Sequence, residues 1–116
     1  MFEEADEGNL WFSIVNTDAV NNGNDGYEIE EADEGSLLGN VFNNTSVGND
    51  GKGFDLNEDG DGDPFIKFLK TTTDNGQEGD KNDGIEADQE DAGQGTIVIR
   101  GSDIVGGTDL DGVDEL

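Results

Sequence analysis

The chain contains no cysteine and no histidine, and only 5 Lys+Arg stand against 30 Asp+Glu. Missing cysteine rules out disulfides and thiol catalysis. Missing histidine rules out most zinc and copper sites and the Ser-His or Cys-His arrangements of nucleophilic catalysis. Five scattered cationic side chains cannot form a phosphate-neutralising patch, so nucleic acid and anionic membrane surfaces are not expected as partners. No apolar run approaches the roughly 20 residues that span a bilayer, so no membrane insertion is expected. Met1 is followed by Phe2-Glu3-Glu4 and not by a basic and then apolar leader, as in a mature or excised secreted domain or a cytosolic protein. The terminal Val113-Asp114-Glu115-Leu116 lacks the basic first residue of an ER-retrieval signal and is read as chance.

What the chain does have is carboxylate. A formal net charge of -25 with 30% hydrophobic residues lies towards the composition of disordered chains. Bound multivalent cations or a high-salt medium would rescue a fold, the first by neutralising the carboxylates and the second by screening them. The length of 116 residues fits a single domain, 1–116, with an acidic N-terminal segment at 1–9 and a long polar loop at 74–95.

Short apolar segments separated by Gly/Asn/Asp turns predict an all-β fold, an Ig-like or jelly-roll-type β-sandwich with long Asp/Asn/Gly-rich cation-binding loops. Leu10–Val15 and Leu37–Phe42 read as strands, Gly39 marking a bulge in the second. Tyr27-Glu28-Ile29 reads as a short strand, and Thr96–Arg100 is the clearest strand of all. Phe65–Thr73 is strand by its aromatics and threonines, although Asp63-Pro64 would also open a helix. Ile29–Leu37 echoes Phe2–Leu10, and Asn-Asp-Gly recurs at Asn24, Asn49 and Asn82. The spacing of these echoes is too irregular for a solenoid of fixed period. Asn43 and Asn44 each begin an N-x-Ser/Thr sequon, meaningful only for a chain secreted through a glycosylating pathway.

Asp55–Pro64 carries the most chemistry. Asp55, Asn57, Asp59, Asp61 and Asp63 place oxygen ligands at alternate positions around Gly60, a donor set suited to Ca²⁺, which takes six to eight oxygens. Mg²⁺ keeps its waters and suits a carboxylate-dense cage less well. Ile66 stands where an EF-hand needs its twelfth-position Glu, so the expected site is a turn completed by ligands distant in sequence. Asp109 and Asp111 repeat the alternation more weakly. Glu3/Glu4/Asp6, Glu30/Glu31/Asp33, Asp25, Asp50, Asp83 and Asp88 are further candidates, each more simply a solvated charge.

Two stretches, Glu34-Gly35-Ser36-Leu37-Leu38-Gly39-Asn40-Val41-Phe42-Asn43-Asn44 and Asp59-Gly60-Asp61-Gly62-Asp63-Pro64-Phe65-Ile66-Lys67-Phe68, resemble the cadherin-like, VCBS-type Ig-fold repeats of bacterial surface adhesins. The likeness covers about a third of the chain. It departs at Asn44, where those repeats have Asp, at the extra residues 45–54, and in lacking Tyr-rich closing strands. The resemblance implies an extracellular or cell-surface, calcium-stiffened module with structural or adhesive work.

The function expected is therefore non-enzymatic: a calcium-binding adhesin module or a self-assembling subunit of a surface fibre. Its partners would be calcium ions and neighbouring copies or repeats, joined by strand addition through Leu10–Val15. The alternatives are a salt-adapted acidic domain with no metal role and a carboxylate-dependent glycoside hydrolase. For the hydrolase, the abundance of carboxylates selects no catalytic pair.

Overall fold

The computed structural model of the chain describes residues 1–75 and 83–116. Its strands wind in sequence around a common axis. The first turn holds β1 (Phe2–Glu4), β2 (Leu10–Val15) and β3 (Asp18–Val20). The second holds β4 (Tyr27–Glu31), β5 (Leu37–Phe42) and β6 (Thr45–Val47), and the third β7 (Phe54–Glu58), β8 (Phe65–Leu69) and β9 (Thr72–Asp74). The fourth holds β10 (Ile85–Gln89), β11 (Gly95–Arg100) and β12 (Asp103–Ile104), after which β13 (Thr108–Asp111) and β14 (Val113–Glu115) begin another.

Every strand pairs in parallel with its counterpart in the next turn, giving three sheets. Face A has the order β1-β4-β7-β10-β13, face B the order β14-β11-β8-β5-β2, and face C the order β12-β9-β6-β3. The molecule is a β-solenoid of about four turns, and the expected Ig-like or jelly-roll β-sandwich is wrong. A sandwich is built on antiparallel pairs, whereas all the pairings here are parallel. Alternating short strands look the same in sequence whether they pair with the next strand or with the one a full turn later.

The repeat emerges once it is read from the strand register. Phe2 pairs with Ile29, Leu10 with Leu37, and Tyr27 with Phe54, a step of 27 residues that also spans cross-turn hydrogen bonds such as Ser36 N to Asn9 Oδ1. The next step is 31 residues, and the last shortens to 23 on face A and 18 on face B. The Asn-Asp-Gly triplets hid this. Gly26, Gly53 and Gly84 each precede a face A strand, so Asn24-Asp25-Gly26 falls in register and Asn49-Asp50-Gly51 ends two residues early.

Alternation places one residue in two inside the coil. Ile29, Leu56 and Ala87 from face A meet Leu37, Val41, Ile66, Phe68 and Ile97 from face B in a single buried cluster. Tyr27 stacks on Phe54 at 4.5 Å, and Phe54 meets Phe68 edge-on at 5.1 Å. Gly39 marks no bulge: it pairs in unbroken register with Phe12 and Ile66. A Cβ there would lie 2.1 Å from the Phe12 ring, which fills the space the missing side chain leaves.

The corner from face B to face C repeats a left-handed residue at Asn16, Asn43, Lys70 and Gly101, with φ between 50 and 56°. Beside it Asn44, 1% exposed, accepts from Thr17 N and donates to Ile14 O. The sequon asparagines thus have an internal role, Asn44 as a buried corner bridge and Asn43 as a donor to Asn16. Phe65–Leu69 is strand, and the corner at Lys70–Thr71 separates it from β9. Within 74–95, read as one polar loop, Ile85–Gln89 is a strand of face A; residues 76–82 lie outside the described part.

Candidate cation site

The parallel register assembles carboxylates into ladders on the outer side of face A. Glu28, Asp55, Glu86 and Asp109 occupy successive rungs of one ladder. Glu3, Glu30, Asn57, Asp88 and Asp111 occupy the next. Rungs of a sheet lie about 4.8 Å apart, so the first ladder is a column of like charge, and the second is one interrupted by the neutral Asn57. Lys52 offsets part of it, its Nζ standing 3.2 Å from Asp55 and in ion-pair contact with Glu86. Carboxylate oxygens of Asp83, Glu86 and Asp109 lie within 4.8 Å of one another, an arrangement suited to holding a cation.

Crowding shows in the acidities. Burial, then the Glu86 charge, push the Asp88 carboxyl up to about 6. Glu30 is raised by burial and by the charges of Asp59, Glu3 and Glu28. The Lys52 ammonium loses some solvation, but Glu86 and Asp55 outweigh that loss and hold its pKa above the ordinary value.

The alternating run Asp55–Asp63 is not one loop. Asp55 and Asn57 alternate because they lie on β7 and face outward, joined by a 3.3 Å hydrogen bond from Asn57 Nδ2 to Asp55 Oδ1. Asp59, Asp61 and Asp63 belong to the corner leading to β8, where Asp61 accepts from Ala92 N at 3.4 Å and Asp63 from Gln94 N at 2.9 Å. Asp59 and Asp61 rim a shallow acidic concavity with Asp33, Glu34 and Asp91. Asp109 and Asp111, weak in the sequence, sit beside Glu86 and Asp88 and extend the ladders that contain Asp55 and Asn57. Of the sequence-derived candidates, Asp55 and Asp109 therefore share one ladder, and Glu3, Glu30, Asn57, Asp88 and Asp111 the other, while Asp83 joins Asp109 in the cluster with Glu86.

Glu28 and Glu86 were not singled out, and the 27-residue step is the signal that finds Glu28 beside Asp55. The same step shows that Leu56–Pro64 is the third copy of the segment seen at Phe2–Leu10 and Ile29–Leu37. It also aligns Glu4, Glu31 and Glu58, which point into the coil and not to solvent. Glu31 and Glu58 are 0% exposed.

Comparison of the chain with protein-family models, curated proteins and solved structures returns no match. Among the described residues no helix is long and apolar enough to cross a membrane.

Proposed function

We propose that the chain is a non-enzymatic, calcium-binding structural or adhesive module that works at the cell surface or outside the cell. The observation that carries this reading is the pair of acidic ladders on face A. Side chains ordered by a rigid sheet at a fixed rung spacing offer oxygen ligands without the entropic cost of gathering them from a loop. Calcium ions bridging successive rungs would turn mutual repulsion into cross-turn links and add binding free energy to stability.

The resemblance of residues 34–44 and 59–68 to adhesin repeats supports the extracellular setting. Assembly into a fibre fits the outer edge of β2, which ends the face B order and offers backbone groups for strand addition by a neighbouring copy or repeat.

A melt in low salt after chelation tests the proposal. Loss of stability restored by Ca²⁺, but not by NaCl of equal ionic strength, supports it. Indifference to chelation with rescue by molar NaCl supports the alternative, an acidic salt-adapted domain. The observation favouring that alternative is the exposure of Glu3, Asp6, Asp61 and Asp111, spread over several turns and typical of a solvated charge coat.

A further inference from the structure

We infer that the inward column of Glu31 and Glu58, with Glu4 at its end, is an interior binding site for a hard divalent cation of the calcium class. The site lies beneath the corner from face A to face B, on the opposite side of the sheet from the outer ladders.

Polar bookkeeping inside the coil motivates this. Glu58 accepts from Leu37 N at 3.0 Å and from Gly60 N at 3.3 Å. Neither oxygen of Glu31 has a hydrogen-bond partner of normal geometry, and Glu4 Oε2 is likewise buried without one. The nearest polar groups to Glu31 are the Asp33 amide, Glu58 and Glu4, and burial raises its pKa beyond what the first two offset. Among the described residues no lysine or arginine fills the gap. Lys52 is held by Asp55 and Glu86 on the outer face, Lys67 and Lys70 lie over Phe65 and Phe42, and Arg100 donates to Ile99 O and Leu116 O. Two or three carboxylates in a desolvated column without a counter-charge are strongly unfavourable.

The next turn shows what the position requires. Gln89 pairs with Glu58 in register, and its Nε2 donates to Gly60 O at 2.9 Å and to Gly62 O at 2.8 Å. An amide thus presents positive hydrogens to two corner carbonyls. At the same station one turn earlier the chain has Glu58, and before it Glu31, carboxyls that offer only acceptors once ionised. The corner carbonyls press close as well: a Cβ on Gly35 would lie 1.5 Å from Gly8 O and 2.9 Å from Glu31 Oε1. A Cβ on Gly62 would lie 1.5 Å from Gly35 O and 3.1 Å from Glu58 Oε1. The unpartnered oxygens of Glu31 and Glu4, with Glu58 and the corner carbonyls, offer an oxygen ligand set, and a divalent ion neutralises two carboxylates where one proton neutralises one. This site stands independently of the outer-face proposal, because its ligands point the other way.

The test is calcium titration calorimetry on the chelator-stripped full chain, comparing wild type with Glu31→Gln/Glu58→Gln and with the outer-face variant Glu86→Gln/Asp109→Asn. Glutamine is the resident side chain at the equivalent Gln89, so the inner variant should keep the far-UV spectrum of the wild type. The expected result is a tight component present in wild type and in the outer variant but weakened at least about tenfold in the inner variant. Loss of only the outer component in Glu86→Gln/Asp109→Asn would bear on the face A reading and leave this one standing. Retention of the tight component by the inner variant overturns the interior site. So does a wild type without a tight component, together with an inner variant more stable than wild type in chelator, the signature of a column holding protons. If the double variant does not fold, Glu31→Gln alone is scored by the same component.

Discussion

Gln89 stacks on Glu58 across β10 and β7, so an amide and a carboxylate occupy consecutive stations of one buried column. Burial, followed by the neighbouring Glu31, pushes the Glu58 carboxyl up to about 8. A raised carboxyl pKa means that the folded state holds its proton more tightly than the unfolded chain. Its stabilising effect is full below the unfolded value and is lost as pH rises through the folded one. In chelator, the melting temperature should therefore fall between about pH 5 and pH 8, with Asp88, raised to about 6, contributing on the acid side. Saturating calcium should flatten that fall if Glu58 is a ligand. Thermal melts across this range, with and without Ca²⁺, check both statements.

Substitutions on the outer face should rank by ladder and not by density of aspartate in the sequence. Glu86→Gln/Asp109→Asn removes two of the three clustered carboxylates, whereas Asp59→Asn/Asp61→Asn alters the corner. The first pair should lower calcium affinity and calcium-dependent stability more than the second. The reverse order in calorimetry and melting would argue that the corner concavity, and not face A, is the principal outer site.

The corner glycines should tolerate no side chain. Gly62→Ala brings a methyl within 1.5 Å of Gly35 O, a backbone atom that cannot turn aside. Separating the turns to make room is expected to cost about 1–3 kcal/mol or more. Chemical denaturation measures this, and a loss under half a kilocalorie would show that the turns slide freely.

Asn44→Ala should be far more damaging than Asn43→Ala, although the two stand side by side in overlapping sequons. The first leaves Thr17 N and Ile14 O without their buried partner, a loss of about 1–3 kcal/mol, while Asn43 is exposed. Comparing the two variants by urea midpoint checks the order.

Phe68 lies at the centre of the stack, 0% exposed and edge-on to Phe54. Phe68→Ala should lose about 3–5 kcal/mol. A smaller loss would mean that neighbouring turns collapse into the cavity.

Much of the local structure was legible in the sequence and the architecture was not. Leu10–Val15, Leu37–Phe42 and Thr96–Arg100 declare themselves by alternation and β-branching, and they are strands. What alternation does not encode is the partner, since Leu10 pairs with Leu37 and not with the nearer Tyr27 segment. The echo between Phe2–Leu10 and Ile29–Leu37 was the true repeat, and its third copy was disguised because Asp59–Asp63 reads as a calcium loop. Glu4 and Glu31 were among the sequence candidates, but as surface charges; their inward direction was missed because Glu31 follows Glu30, and only the strand's alternation sends one to solvent and its neighbour into the coil.

The step from 27 to 31 residues is taken up wholly between Asp74 and Gly84, because β7 to β8 and β8 to β9 keep the spacing of the turn before. This junction, which holds four more residues between Asp74 and Gly84 than the turn before holds between Val47 and Gly53, lies between strands that keep their register. It is therefore the place where this chain can be engineered: an epitope or a fluorophore-bearing peptide spliced there should leave the strand signal in circular dichroism unchanged, whereas the same insert in the corner between β7 and β8 should abolish it.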